Sequence, residues 1–425
     1  MKDTARKRDR SQGTPHVGQL ALGAMFRVRE TLYETVVHAG MDVLAAMLEE
    51  DRTRLCGRRY EHAGDRRATR GGHTDGELPF GGRRVRVRRP RVRSTDGREV
   101  PLPTWQHFAD ADPLTPKAVE QMVLGVSTRN YDRSLEPTPA GMLSRGTSKS
   151  AVSRRFVSAT AQTLTEMMGR DLSTLSICAL IIDGIHVGDH LVVVALGIDE
   201  QGEKHVLGLH EGATENEATC SALIEDLVAR GVRSDRSRLF VIDGSKALVA
   251  AVRKAFGRRA LIQRCQVHKR RNVEDHLPEA MKKQVGRTMS TAYRCGHFDR
   301  AKRMLVALAR QLDKKHPSAA ASLREGLDET LTVLRFGLPS GLERTLATTN
   351  AIEFVNSRIR RKTGNVTKWN GGTMVLRWVA VALVETSKTF RKLRGHVGMP
   401  KLVAALRAHD APLHAASVDA SKDAA

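Results

Sequence analysis

Aromatic side chains are scarce in this chain, at 4% of its 425 residues. So few rings leave little to stack on nucleic-acid bases, and any contact with such a polymer must lean on its phosphates. Cysteine is scarcer still: Cys56, Cys178, Cys220, Cys265 and Cys295 are odd in number and widely spaced. That pattern excludes a disulfide framework and implies a reducing, cytoplasmic setting. The N-terminus, MKDTARKRDRSQGTP, lacks the apolar stretch of a secretory signal. The longest apolar run, residues 374–384, is interrupted by Arg377 and is too short to cross a bilayer. No membrane partner is expected. Acids are also in deficit, 47 Asp and Glu against 70 Lys and Arg, a formal net charge of +23. Because the positive charge is clustered, a polyanion is the natural partner, and nucleic acid is the commonest one. A basic but merely solvated surface is the alternative.

The length suffices for two or three domains, each with a core. Residues 1–20 are polar and read as a disordered tail. From about Arg29 to Glu50, Leu32, Val36, Met41, Leu44 and Leu48 recur at helical spacing. They predict an amphipathic helix that packs into a core or serves dimerisation. From Gly81, GGRRVRVRRPRVRS alternates Arg84, Arg86 and Arg88 with Val85 and Val87. That is strand periodicity with one face entirely cationic. Phosphate backbone suits such a face; a solvated edge strand guarded by Pro90 is the other reading.

From Pro113 the pattern turns to short helices, KAVEQMVLGVSTRN ending near Gly125 and then YDRSLE. Next, GTSKSAVSRRFVSATAQTLTEMMG predicts a longer helix capped by Thr147 or Ser148. Lys149, Ser150, Ser153, Arg154 and Arg155 fall on its exposed start, with Val152 and Phe156 turned inward. Small polar and basic residues there are what a helix-turn-helix recognition helix carries into the major groove. An ordinary capped amphipathic helix has the same pattern.

Beyond Leu172 the chain becomes α/β. SICALIIDGIHV, HLVVVALGID and HVLGLHEG are three strand-like runs joined by short turns; RLFVIDGS and ALIQRC are two more, each set off by a helical segment. Three hairpin-linked strands followed by β-α-β predict a mixed five-stranded sheet with helices on its faces. The order matches an RNase H-like core, although other α/β domains share it. Residues 277–336 are helical in pattern, with Phe298, Ala301, Met304, Leu305, Leu308 and Leu312 on one face. Asn350 starts a helix, AIEFVNSRIRRK, and a final apolar helix covers residues 373–391.

Two acids sit in apolar strands: Asp183 in LIIDGI and Asp243 in LFVIDGS. An acid in such a strand costs several kcal/mol unless it is paired or holds a cation. RNase H-like enzymes place one Asp on the first strand and another at the end of the fourth, where the two can share a hard cation through oxygen. Asp-Gly turn chemistry is the competing explanation. Asp199 ends a strand too, but the polar hairpin EQGEK follows it and it is set aside. Glu353 fits a capping box with Asn350 as N-cap. It also precedes Arg358, Arg360, Arg361 and Lys362, a cationic flank suited to DNA beside a metal ligand; Glu343 and Glu329 are substitutes for it. RCQVHKRR, with Cys265 and His268, is half a zinc site without a second pair, so a structural zinc is not expected. His268 follows the fifth strand, where it can approach the aspartates to contact phosphate or carry protons, or lie buried and satisfied.

The chain resembles the Mutator-like transposases of bacterial insertion sequences. The likeness is carried by IIDGIHVG, GLHEGATEN, VIDGSKAL, RCQVHKRRNV and TTNAIEFVNSRIRRKTGN, and upstream by RRPRVRS, GVSTRNYDRSLE and GTSKSAVSRRF. It covers about residues 25 to 400. The resemblance implies a DDE transposase with an RNase H-like catalytic core, interrupted by an all-helical insertion, behind a mainly helical N-terminal DNA-binding region. It implies Asp183, Asp243 and Glu353 as the acidic triad holding two Mg2+ (or Mn2+) ions, and Cys265 and His268 as a family signature near them. Double-stranded DNA, as terminal inverted repeats and target, is the implied partner, with a homodimer or larger assembly acting on it in the bacterial cytoplasm and nucleoid. The expected boundaries are 1–20 tail, 21–110 helix and Arg-rich strand, 111–170 helix-turn-helix domain, 171–276 first part of the core, 277–340 insertion, 341–408 last part of the core, and 409–425 tail. A helix-turn-helix regulator would explain the charge without needing acids in apolar strands. An RNase H-like nuclease without strand transfer would share the acids and lack a need for the N-terminal region.

Overall fold

The structure is a computed structural model that describes residues 32–60, 68–110, 114–212, 214 and 216–422. The tail expected over residues 1–20, and the start of the first helix at 29–31, lie outside the described residues. Two compact units are present, one reaching Phe156 and the other running onward from Val157, with Val123–Gly125 joining the second.

The first unit has a four-stranded sheet beside its helices. Helix α1 (Leu32–Cys56) precedes the long strands β1 (Ala68–Phe80) and β2 (Arg83–Ser94). Strand β3 (Glu99–Val100), helices α2 (Pro103–Asp110) and α3 (Leu114–Val123), strand β4 (Ser144–Arg145) and helix α4 (Lys149–Gly169) follow. The core uses the face of α1 that its spacing implied from Met41 onward, since Met41 and Leu44 pack against the core that holds Leu48. Leu48 is buried with Val37 and Cys56, whereas Leu32 and Val36 are exposed. In β2 the alternation holds: Arg83, Val85 and Val87 are buried, and Arg84, Arg86 and Arg88 point to solvent. The strand is not an edge, since β1 pairs along one side and β3 and β4 along the other. Pro90 is tolerated because it faces His73 at an irregularity in the β1–β2 ladder, where its missing N–H matters least. YDRSLE forms only a 3-10 turn at Asp132–Ser134. That turn and β4 stand between α3 and α4, where a compact helix-turn-helix would have a short link.

The second unit is built on the mixed five-stranded sheet, in the order β7-β6-β5-β8-β9. Strands β5 (Ile177–Val187), β6 (His190–Asp199) and β7 (Lys204–Gly212) are antiparallel hairpin neighbours. Helix α5 (Glu217–Ala229) leads to β8 (Arg238–Ile242), and α6 (Lys246–Phe256) to β9 (Ala260–Arg264), both strands parallel to β5. The runs are almost wholly apolar because helices cover both faces. Leu180, Ile182, Phe240 and Ile242 pack with residues of α5 and α6 on one face. Ile181, Ile185, Leu239 and Val241 face the other, beneath α12 and α13.

Helices α7 (Gln266–Glu274), α8 (Glu279–Tyr293), α9 (Phe298–Asp313) and α10 (Pro317–Arg324) follow β9, then a 3-10 segment over Asp328–Phe336. The apolar face of α9 is buried through Ala301, Leu305, Leu308 and Leu312 in a core of its own. Helices α11 (Ser340–Leu346), α12 (Asn350–Thr363), α13 (Gly372–Ser387) and α14 (Met399–Lys422) complete the chain. Helix α14 continues past 409, where a frayed end was expected. Its His409 and Asp410 bond Ser237 just before β8, which gives that turn of helix a partner. Among the described residues, no helix is long and apolar enough to cross a membrane.

Strand β9 would be an open edge, but the 3-10 segment covers it. Fully buried Gln263 donates to the Thr330 carbonyl at 2.8 Å and accepts from the Val333 N–H at 3.0 Å. Gln263→Leu therefore strands a buried N–H, which costs about 1–3 kcal/mol. The expected result is a lower melting temperature with the far-UV circular dichroism of the folded chain kept. An unchanged melt would show that this side chain does not hold the segment to the sheet.

Candidate functional site

Strand register brings three chemically active residues to one edge. Ile181 is level with Val241, and Val241 with Gln263, across the parallel strands β5, β8 and β9. Two residues further along come Asp183, Asp243 and Cys265. Side chains alternate faces along a strand. These residues share parity with Ile181, Val241 and Leu261, whose side chains meet the cluster under α12. Asp183 is thus directed to the face that α12 covers. Asp243 lies just past the end of β8, and its Oδ1 accepts the Ser245 N–H at 2.9 Å. Gly244 between them has φ of 108°, a conformation glycine adopts without strain.

Helix α12 supplies the third acid. Asn356, one turn after Glu353, donates Nδ2 to Asp183 Oδ2 at 2.8 Å. The helix is thereby clamped to β5 at the aspartate itself. The capping box expected of Glu353 is not made. Thr349 occupies the N-cap position and its hydroxyl donates to Glu353 Oε1 at 2.9 Å, so the carboxylate is held to one side of the helix start. The two suggested substitutes are elsewhere. Glu329 is paired with Arg253 and Arg264, and Glu343 lines a separate cavity with Arg270 and Arg294. Asp199 closes a hairpin, accepting from the N–H groups of Gln201 and Glu203.

Cys265 and His268 complete the cluster. Cys265 is fully buried and its sulfur accepts from the Thr349 N–H at 3.5 Å, with the Thr349 hydroxyl oxygen 3.3 Å away. His268, on α7, has Nε2 3.7 Å from Glu353 Oε1 and Nδ1 3.4 Å from the Thr349 hydroxyl. Its hydrogen bond to Cys265, aided by the charges of Glu353 and Asp243, outweighs burial and pushes the imidazole up to about 9. Burial pushes the Cys265 thiol up, but the hydrogen bonds of His268 and Thr349 prevail and leave it below its ordinary value.

Two donor sets can be tested for fit to a cation. Among the described residues, Cys265, His268 and Glu353 form the one set of three whose ligand atoms all lie within 4.8 Å of one another. One oxygen among three donors does not suit Mg2+, and three donors fall one short of a structural zinc site. Asp183 and Asp243 stand outside that set, so the structure brings the three acids to one edge without closing them on a point. The acidic set is the better match to a hard cation by donor chemistry. Beside it, Asn356 Oδ1 is buried without a partner, an orphaned acceptor next to Asp183. Sequence reasoning missed Asn356 and Thr349. The i, i+3 spacing of Glu353 and Asn356 was the available signal, since it places both on one side of a helix.

The cationic residues named from sequence are split between the units. Arg358, Arg360 and Arg361 of α12 are exposed and Lys362 is half-buried. In the first unit Arg84, Arg86 and Arg88 share one exposed face, with Arg86 3.9 Å from Asp75. At the start of α4, Lys149, Ser150, Ser153 and Arg154 are exposed, while Arg155 is half-buried and donates to Thr115 Oγ1 at 3.1 Å. Val152, Phe156 and Thr160 form the buried side.

Comparison with known proteins bears on this arrangement. A family model described as "Transposase, Mutator family" matches residues 18–392. The transposase for insertion sequence element ISRM5 of Rhizobium meliloti (strain 1021) is 27% identical over 384 residues, 88% of this chain and 90% of the relative. The transposase for insertion sequence element IS256 in transposon Tn4001 of Staphylococcus aureus is 25% identical over 358 residues, 81% of this chain and 87% of the relative.

The raised His268 titration carries a sign. Its protonated form is favoured by folding, so the stability it contributes is fully present below the ordinary pKa of 6.5 and is lost as pH rises through about 9. In the metal-free chain, an NMR titration should find the imidazole still protonated at pH 8, and Cys265→Ser should move its midpoint down. A midpoint near 6.5 in the unsubstituted chain would refute the coupling.

Proposed function

The chain belongs to the Mutator family of transposases, and from that premise we propose that it cuts and joins DNA at the inverted repeats of its element, using Asp183, Asp243 and Glu353. The observation that carries this reading is the register just described, which sets two acids side by side under the helix that bears the third. A DDE transposase of RNase H-like architecture accounts for it. In support, the sheet has three antiparallel strands followed by two parallel ones, with acids on the first and just beyond the fourth.

Asp183, Asp243 and Glu353 would hold two Mg2+ or Mn2+ ions. When bound, these supply activation of the attacking oxygen and charge stabilisation of the leaving 3′ oxygen. The residues then divide the work. Asn356 and Thr349 hold the Asp183 and Glu353 carboxylates in place. His268 presents a positive charge beside Glu353, suited to a phosphate oxygen. Arg358, Arg360, Arg361 and Lys362 extend that positive field along α12. Water is the first nucleophile and frees a 3′-OH at the element end. That hydroxyl attacks a second phosphodiester, expelling its 3′ oxygen and joining the strands.

The first unit would read the ends. Arg84, Arg86 and Arg88 give β2 a phosphate-facing surface, and Lys149, Ser150, Ser153, Arg154 and Arg155 lie at the leading end of α4, the part of a recognition helix that reaches base edges. Two ends must be held together, which calls for a homodimer or larger assembly. Helix α1 offers a surface for it: exposed Leu32, Val36, Val43 and Met47 fall within about 60° of one another around the helix.

Asp183→Ala or Asp243→Ala should reduce Mg2+-dependent strand cleavage by on the order of 10³-fold or more while leaving binding to the element end nearly intact. Cleavage at the unsubstituted rate by either variant would overturn the metal-site assignment. Neutralising Arg84, Arg86 and Arg88 together should flatten the salt dependence of binding by about 0.9 for each phosphate that is no longer neutralised, with discrimination between ends and random DNA retained. Arg154→Ala should instead weaken that discrimination, read from competition binding. Identical behaviour of the two sets would remove the distinction drawn between them.

A further inference from the structure

Helix α12 has a second functional side that the acidic cluster does not use. A cavity of about 580 Å³ opens there, lined by Phe354, Phe390, Lys204, Arg358, Lys362 and Arg391. Phe354 follows Glu353 directly and is 44% exposed, so its side chain leaves the helix about 100° round from the carboxylate. The Arg358 guanidinium lies 5.0 Å from the Phe354 ring centre. Lys204 lies 6.0 Å from that of Phe390 and donates to the Arg391 carbonyl at 2.8 Å. Glu385 also lines the cavity, its carboxylate paired with Lys388 at 2.6 Å. An adjoining cavity shares Lys204 and adds Arg344, Lys392 and Arg394.

In a chain with so few aromatic residues, a phenyl ring left open to water beside the Glu353 position demands a use. An apolar partner would gain nothing from four surrounding cations, and an inorganic anion nothing from the rings. A ligand with a flat face and a phosphate satisfies both at once. The cavity lies within the range of small-molecule sites, roughly 300–1,000 Å³. A base inside a duplex has both faces stacked and cannot enter, so the ligand must present a base freed from its neighbours.

We propose that this cavity receives the unstacked base of a nucleotide flanking the reacting phosphodiester, with Phe354 as the stacking platform and the neighbouring cations on its strand. The adjoining cavity then carries the phosphates of the same strand onward. This rests on the DNA reading of the preceding subsection. It adds to it a preference for DNA whose strands are locally parted.

The test uses the full chain without divalent metal, so that nothing is cut. One probe is a forked duplex with 2-aminopurine in its single-stranded arm; the other is the same sequence fully paired. The forked probe should bind about tenfold more tightly, with its emission quenched on binding. Phe354→Ala should abolish both the preference and the quenching while paired-duplex affinity stays within about twofold, and Phe354→Trp should restore both. Equal affinity for the two probes, or a Phe354→Ala variant that keeps the preference and the quenching, overturns the inference and leaves DNA binding standing. Failure to bind either probe removes the DNA reading and this inference together.

Discussion

The register of three parallel strands is the constraint on which everything else in the second unit depends. β5, β8 and β9 are aligned so that Asp183, Asp243 and Cys265 each come two residues after the level positions Ile181, Val241 and Gln263. Because side chains alternate, a slip of one residue in any strand would turn its acid or thiol to the opposite face, beneath α5 and α6. The apolar residues on either side prevent that slip. Ile181 and Ile185 bracket Asp183 on one face, and Leu180 and Ile182 belong to the core on the other. The same hydrophobic pattern that folds the sheet therefore aims its acids.

A second layer of polar contacts holds the cluster once it is assembled. Asn356 ties α12 to Asp183, Thr349 ties the Glu353 carboxylate to Cys265, and the Gln266 N–H bonds the Ala347 carbonyl between α7 and the segment before α12. Each of these ties joins segments remote in sequence. The concentration of negative charge is offset locally by the protonated His268 and further along α12 by its exposed arginines. A hard cation would relieve the remaining repulsion. The Asn356 Oδ1 atom, buried and unpartnered beside Asp183, is a costly feature that such a centre would help explain.

Positive charge is distributed over β2, the start of α4 and α12. The few aromatic residues are mostly spent on packing: Phe240 meets Phe256 edge to face, and Trp369 meets Trp378 likewise. Phe354, like Tyr60 and Phe108, departs from this pattern by its exposure, and its place among the four cations of the cavity sets it apart from the rings that only fill space.

The two aspartates drew attention in the sequence because an acid inside an apolar strand is costly unless it is paired or holds a cation. Asp183 and Asp243 interrupt the apolar runs LIIDGI and LFVIDGS, and both are half-buried in the structure; the five strands were readable from those apolar runs. Glu353 could not be separated from a helix cap by its spacing, and only the tertiary structure showed Thr349 at the cap position with its hydroxyl on the carboxylate. The exposure of Leu32 and Val36 at the start of α1, the central position of β2, and the sheet of the first unit were likewise settled by long-range pairing. The 3-10 turn at Asp132–Ser134 was another local pattern that tertiary context redirected. Local periodicity depends on neighbours a few residues apart, so the chain alone determined the five strands and most helices of the second unit, whereas the strand Ala68–Phe80 of the first unit left no local signal that was read. Convergence depends on contacts between residues more than a hundred positions apart, such as Asp183 with Asn356. Only the folded packing could decide which of those costly groups meet.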